Sequence, residues 1–316
     1  MVLSGVQDRL APLQAWLFPR RLYLQLEDQA ITGMILNGAR IVWLERLELP
    51  EGVCTDGEPL QTGALGDLLG DWLVERGLAG VRVRAVLPPA ATIWRLVEWQ
   101  DGHWPEQPEL ELQARQEELA LPWPLDASTE GADLRLQELP ADPGSALLVT
   151  VRRTVLEGWI EVCGLAGVAL DGVEAAPLCL WRALAPLLEA AEAEGALLVL
   201  QIDALESRLQ LFDQGRPLGE WELPPADALE ELLAALQRWQ RFWCQRHPGA
   251  RLARLWISGA PPALAAALGP IFGCPARVLD PLEQGWLEDA RPADQAGEPL
   301  PPLTLLWGLV AGEVQA

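Results

Sequence analysis

The sequence predicts a two-lobed α/β fold made by internal duplication, with a small α+β subdomain inserted between the copies. Three observations predict it. A pattern of strand, strand, strand, helix, strand occurs twice, once near the start of each half of the 316 residues. Each copy carries a tight-turn signal at the same place, Asn37-Gly38 in the first and Gln214-Gly215 in the second. The stretch between the copies alternates strands and helices of its own. A repeat this long constrains the whole architecture more strongly than any short motif.

In the first copy, residues 22–26, 31–36 and 41–47 read as strands. Asn37-Gly38 joins the last two as a hairpin, because glycine takes positive φ without steric cost. A helix over 65–75 and an apolar strand over 81–87 complete the copy. The second copy places strands at 197–202, 208–212 and 218–223, a helix at 227–245 and a strand at 252–257. Between the copies come a strand at 92–99 and a short acidic helix at 110–119, closed by Leu121-Pro122-Trp123-Pro124. Further strands fall at 134–139 and 147–151, then a helix at 155–164 with Trp159 and Val162 on its apolar side, then a strand at 168–173. Segments rich in Pro, Gly and Asp, 51–57 and 141–144, separate elements. A polar, proline-rich connector at 291–302 precedes a closing apolar helix at 303–310. At the other end Val6, Leu10, Leu13 and Leu17 recur at helical spacing, interrupted by Pro12, which suits an amphipathic arm folded on its own domain or partly disordered. The predicted divisions are an arm at 1–21, a first lobe at 22–87 and 152–195, an inserted subdomain at 88–151 and a second lobe at 196–316.

Composition narrows the chemistry. Half of the residues are hydrophobic, enough for sizeable cores, and the formal net charge is -22. Such a field disfavours nucleic acid and anionic lipid and favours basic protein partners. All 23 basic residues are arginine, which removes phosphate-loop, Schiff-base and general-base lysines from consideration. Five cysteines, an odd number with no C-x-x-C pair, fit reduced thiols in a cytosol. No run approaches the roughly 18 apolar residues that span a bilayer, and no signal-peptide pattern opens the chain, so a soluble intracellular protein is expected. His103 and His247 are the only histidines, too few for a metal cluster or a nucleophile-base pair. The acid pairs Glu117-Glu118 and Glu230-Glu231 read as solvated helix faces. Most of the 15 tryptophans, among them Trp43, Trp72, Trp159, Trp239 and Trp256, fall at apolar positions and read as core or interface residues.

A duplicated pattern of this kind builds the actin-like chains, whose halves are each ribonuclease H-like. In actin-like ATPases the first hairpin of each lobe cradles phosphate, because an aspartate holds the metal and Gly, Ser or Thr let backbone amides approach the anion. Here the first hairpin reads Leu26-Glu27-Asp28-Gln29-Ala30-Ile31, and the second Ile202-Asp203-Ala204-Leu205-Glu206-Ser207. Both lack the small residues, and Glu206 would repel a phosphate. Leu255-Trp256-Ile257-Ser258-Gly259-Ala260 stands where such folds turn beside adenosine, with one glycine of the usual pair. Glu27, Asp203, Ser207, Ser258 and Gly259 are therefore vestigial nucleotide-site positions. No catalytic residue and no metal ligand is assigned, and no cofactor is expected, with ATP and magnesium as the alternative.

Four stretches in order carry a closer likeness: Val86-Leu87-Pro88 leading into 92–97; the acidic helix ending Glu117-Glu118-Leu119-Ala120-Leu121-Pro122-Trp123-Pro124; 147–153 running into a helix that ends Cys163-Gly164-Leu165-Ala166-Gly167-Val168; and Leu170-Asp171-Gly172-Val173-Glu174 followed by Leu180-Trp181-Arg182-Ala183-Leu184. With the closing Leu306-Trp307-Gly308-Leu309, the chain from about Arg21 onward resembles the PilM family of type IV pilus assembly proteins and, more distantly, the cytoplasmic domain of the type II secretion L protein. The resemblance implies a non-catalytic cytoplasmic scaffold, peripheral to the inner membrane through its partners. It also implies a partner, the short N-terminal tail of a PilN-like inner-membrane protein, lying in a groove between the first lobe and the inserted subdomain. Val86, Leu87, Trp94, Leu96, Leu121, Pro122, Trp123 and Pro124 are the contacts so implied. A pilus assembly ATPase is a further implied partner. The alternatives are a nucleotide-binding actin-like ATPase and a type II secretion L-like scaffold that recruits an assembly ATPase. The two altered phosphate turns argue against the first.

Overall fold

Near-continuous apolar runs bury both faces of the central strands in the two large sheets, which carry helices on either side. The computed structural model describes residues 20–99, 102–126, 128, 130–139, 142–191, 195–202, 206–225, 227–259, 262–292 and 300–314. The predicted arm, Asp203 and Ala260 lie outside these residues, apart from the arm's last two positions.

The first lobe opens with β1 (Arg21–Leu26), β2 (Ala30–Asn37) and β3 (Arg40–Glu48). A small hairpin, β4 (Cys54–Thr55) and β5 (Glu58–Pro59), leads to α1 (Thr62–Glu75) and β6 (Arg82–Leu87). After a 3-10 turn at Pro89–Ala91, the inserted subdomain comprises β7 (Thr92–Glu98), α2 (Pro108–Ala114), β8 (Ala132–Leu139) and β9 (Asp142–Arg152). The chain then returns through α3 (Arg153–Leu165), β10 (Ala169–Ala175) and α4 (Ala176–Ala191). The second lobe contains β11 (Ala196–Ile202), β12 (Ser207–Asp213), β13 (Arg216–Leu223), α5 (Leu229–Arg246), β14 (Leu252–Ser258), α6 (Pro262–Phe272) and β15 (Ala276–Val278). Last come β16 (Glu288–Asp289) and α7 (Thr304–Val314).

The duplication is explicit in the topology. The first sheet runs β10-β6-β1-β2-β3-β16 and the second β13-β12-β11-β14-β15. In each, three antiparallel strands are extended by two parallel ones beside the first strand. The second copy turns through Gln214 and Gly215 at φ of 48° and 73°, the left-handed pair that a two-residue hairpin of natural twist requires.

Three cores alternate with the two sheets. Leu22, Leu24 and Leu26 of β1 pack with Leu69 and Trp72 of α1 and Trp159 of α3. The opposite face of that sheet, including Tyr23 and Met34, meets α4 and α7. Those helices also meet Leu197, Val199 and Trp256 of the second sheet. The outer face of the second sheet is covered by α5 and α6. The lobes are therefore joined through a shared apolar layer, a source of stiffness worth far more than surface pairs.

Two findings revise the sequence reading. The closing segment, assigned there to the second lobe, returns to the first: β16 pairs with β3, and α7 lies with α4 against β1 and β6. The acidic helix expected over 110–119 ends earlier, at Ala114, and passes through turns to Ala120 at φ 49°. Arg95 ties the turn segment that follows the helix to β7, donating to the carbonyls of Leu119 at 3.0 Å and Ala120 at 3.3 Å.

Candidate functional site

The interlobe cleft is formed where β1 and β11 end. A cavity of about 350 Å³ there is lined by Gln25, Glu27, Arg46 and Pro89 from the first lobe, and by Gln201, Ile202, Glu206, Arg208, Ser258 and Gly259 from the second. Pro302 and Leu305 of the closing segment complete the wall. The polar residues come from equivalent rows: Gln25, Thr32 and Arg46 stand side by side in the first sheet, as do Gln201, Arg208 and Glu222 in the second.

Both guanidiniums are already engaged. Arg46 donates to Glu27 and Glu48, each at 2.9 Å. Arg208 donates to Glu206 at 2.8 Å and Glu220 at 3.0 Å, and Glu222 lies 3.7 Å away. Burial works against the charge on Arg208, but Glu220, Glu206 and Glu222 together raise its pKa above the ordinary value. A phosphate entering this cleft would have to displace carboxylates from both arginines.

The first turn is closed against anions as well. The Glu27 N–H donates to the Ala30 carbonyl at 3.0 Å. Asp28 faces away from the cleft and accepts the N–H groups of Asp56 at 2.9 Å and Gly57 at 2.7 Å. The Gly57 carbonyl in turn accepts the buried Trp159 indole N–H at 2.8 Å. Burial and the Asp28 charge push the Cys54 thiol beneath this turn up to about 12. On the adenosine side, a Cβ at Gly259 (φ 84°) would stand 2.3 Å from the Ile202 carbonyl oxygen and 3.3 Å from Pro302. The Ser258 and Thr304 hydroxyls lie 2.9 Å apart, so the start of α7 occupies this side. Among the described residues no group of three or more His, Cys, Asp or Glu is placed to hold a metal.

A second concavity, about 200 Å³, lies between the inserted sheet and the first lobe. Leu87, Leu156, Val173, Ala175 and Leu178 face Asp133, Arg135, Val149 and Val151 across it. Each wall includes an outer strand, β10 of the first sheet and β8 of the inserted one. Asp133 pairs with Arg153 at 3.0 Å, and Glu174 lies between Arg182 at 3.3 Å and Arg84 at 3.4 Å.

No known family profile matches the sequence, and no curated protein matches it. Solved structures do. A PilM-PilN type IV pilus biogenesis complex superposes with a TM-score of 0.73 at 20% identity, covering 94% of this chain and 99% of that one. A Bacteroides thetaiotaomicron protein of unknown function with an actin-like ATPase fold superposes at 0.53 and 10% identity, covering 92% and 95%. The chain has the actin-like fold. The cytoplasmic domain of EpsL, an inner-membrane component of the Vibrio cholerae type II secretion system, superposes at 0.48 and 11% identity, covering 94% and 95%.

Against this actin-like frame the predicted residues sort clearly. Glu27, Ser258 and Gly259 do converge on one cleft. Ser207 is fully buried beside it, with no partner for its hydroxyl among the described residues. The predicted partner contacts do not form one surface. Val86 is sealed in the core shared by the lobes. Trp94 and Leu96 pair with Val149 and Leu147, on the sheet face that packs toward Leu178 and Trp181. Leu121 and Trp123 pack on the opposite face, and Pro122 is exposed beside them. Only Leu87 lines the groove itself. The sequence reading missed Gln25, Arg46, Gln201 and Arg208. Gln25 and Gln201 stand two places before Glu27 and Asp203 in matching strands, a signal that aligning the two copies would have exposed.

Proposed function

We propose that this chain is a non-catalytic scaffold of type IV pilus assembly, held in the cytoplasm against the inner membrane by the N-terminal tail of a PilN-like membrane protein. The likeness over nearly the whole chain to the protein of the PilM-PilN complex carries this reading. The groove beside the inserted sheet is the docking site. An extended tail there can add main-chain hydrogen bonds to an outer strand and seat apolar side chains against Leu87, Val149 and Val173. Arg135, the groove's charged side chain with no ion-pair partner among the described residues, is available to a carbonyl or carboxylate of the tail.

The paired arginines and the amide-bound Asp28 favour a scaffold over an ATPase. Calorimetry with magnesium and ATP is expected to show no binding at micromolar nucleotide, since that affinity needs about -8 kcal/mol. Micromolar binding would restore the nucleotide-binding alternative. A synthetic tail from a single-span protein encoded beside this gene is expected to bind, with Val173→Ala and Arg135→Ala each weakening it severalfold or more. Unchanged affinity in both variants would remove the groove from the proposal. Binding of a pilus or secretion assembly ATPase is tested separately by co-purification of this chain with a candidate motor of each kind.

A further inference from the structure

The inserted subdomain is the acidic part of an acidic chain. Residues 88–151 hold twelve acidic residues against three arginines. Two of those arginines are engaged inside the subdomain, Arg95 by the carbonyls of Leu119 and Ala120, and Arg115 by Glu118 at 2.9 Å and Glu111 at 3.7 Å. Glu106 and Glu109 are exposed and have no ion-pair partner among the described residues. Large apolar side chains stand beside them. Trp104 is 40% exposed, the one exposed tryptophan among the described residues, and Leu110 is 58% exposed. Trp104 is held in place by the buried Trp99, which it meets edge to face at 5.6 Å. Trp99 shares its core with Leu112 of α2, so α2 lies next to the tryptophan pair. The Trp99 ring adds an independent feature: it is 4% exposed, and its buried indole N–H has no acceptor among the described residues. A buried donor ordinarily has a partner. None of these residues lines the interlobe cleft or the groove of the proposed tail.

We propose that the stretch from Trp104 to Leu110 is a second docking surface, and that its partner is a basic segment of another protein. That segment seats an apolar side chain against Trp104 and Leu110 and sets Lys or Arg against Glu106 and Glu109. A rigid aromatic anchor rimmed by charge is the composition of an interface rather than of ordinary surface. The charge decides among occupants. Nucleic acid and anionic membrane are repelled, and a second copy of this chain brings its own excess of acids. A partner's main chain laid along Trp104 also offers the Trp99 N–H the carbonyl it lacks. The proposal is independent of tail binding in the groove, and occupancy of one surface leaves the other open.

Selection of short random peptides displayed on phage against the whole chain tests it, with the Trp104→Ala variant as soluble competitor. The enriched peptides are expected to combine Lys or Arg with Trp, Phe or Leu. Synthetic copies should bind about tenfold or more weakly to Trp104→Ala, to Leu110→Ser, and to Glu106→Gln combined with Glu109→Gln. Leu110 is exposed, so Leu110→Ser keeps the test open if Trp104→Ala disturbs the packing of Trp99. Glu157→Gln combined with Glu161→Gln makes the same charge change on exposed acids of α3 and should leave binding unchanged. No enrichment above the Trp104→Ala competitor overturns the proposal, as does enrichment of neutral or acidic peptides. Equal weakening by the α3 pair also overturns it, since the attraction would then be diffuse charge. A dimer of this chain abolished by Leu110→Ser, or binding to anionic vesicles weakened by it, overturns it by assigning the surface to a second copy or to a membrane.

Discussion

Asp28 Oδ1 accepts the backbone N–H of Gly57 at 2.7 Å, and Oδ2 accepts that of Asp56 at 2.9 Å. A side-chain carboxylate thus occupies the two amides of a neighbouring turn, whose central residues have φ of 51° and 72°. In the actin-like frame the same turn of the first hairpin would face a phosphate. Here its acid stitches β1 and β2 to the small hairpin and, through Gly57 and Trp159, to α3.

Removing that acid exposes the arrangement to measurement. Asp28→Ala is expected to destabilise the protein by about 1–3 kcal/mol, because it leaves two amides without their charged acceptor. Asp28→Asn, which keeps one acceptor oxygen, should cost less. Urea unfolding of the three proteins ranks them, and equal midpoints would show that the turn stands without its carboxylate.

Tyr23 is the single tyrosine of the chain, so its ionisation can be followed without overlap. Burial, then the adjacent Glu313 carboxylate, which accepts its hydroxyl hydrogen bond at 3.0 Å, pushes its pKa up to about 12. The unfolded phenol titrates near 10. The folded state therefore favours the neutral phenol, and this stability is fully present below about pH 10 and lost as pH rises from about 10 to 12, at most about 3 kcal/mol. Phenolate absorbance is expected to rise with a midpoint near 12 in the native protein and near 10 in denaturant. A native midpoint equal to the denatured one would contradict the buried contact, and Tyr23→Phe should flatten this part of the stability profile.

Gly308 lies where α7 crosses α4. A Cβ there would stand 1.8 Å from the Cys179 carbonyl oxygen, which belongs to rigid helix backbone. At an exposed helix position Gly→Ala gains about 1 kcal/mol. Gly308→Ala is expected to reverse that sign and cost about 1–3 kcal/mol, because the two helices must separate. Thermal unfolding distinguishes the signs directly.

Cys244 is the one exposed thiol; Cys54, Cys163, Cys179 and Cys274 are buried. Burial raises all four buried thiols, Cys163 to about 11. A thiol reagent at neutral pH should therefore titrate one cysteine quickly and the others only on unfolding. Rapid reaction of more than one would show that a core opens locally.

Much of the architecture was legible because strand alternation, glycine turn signals and helix periodicity are local properties, and they recur in both copies. Residues 22–26, 31–36 and 41–47 each fall within the strands found. Ser258-Gly259 and Glu27 could be placed at one cleft because the duplication fixes which strand ends face each other. The acidic helix ends at Ala114 rather than at residue 119, and the turns that follow it are held to β7 by Arg95, a partner remote in sequence that local periodicity does not reveal. The predicted partner contacts scatter because residues adjacent in sequence alternate across a sheet, so Val86 and Leu87 part company, one into the core shared by the lobes and one into the groove.

By itself the sequence determined the doubled strand pattern, the acidic field and the loss of small residues from both phosphate turns. Only the tertiary structure decided that the last helix returns to the first lobe, that Asp28 turns away from the cleft, and that Arg46 and Arg208 are held by carboxylates. The physical reason is range. Propensity and periodicity act over a few neighbouring residues, whereas a carboxylate's partner is set by whichever donor the folded chain brings within about 3 Å, from any distance along the sequence.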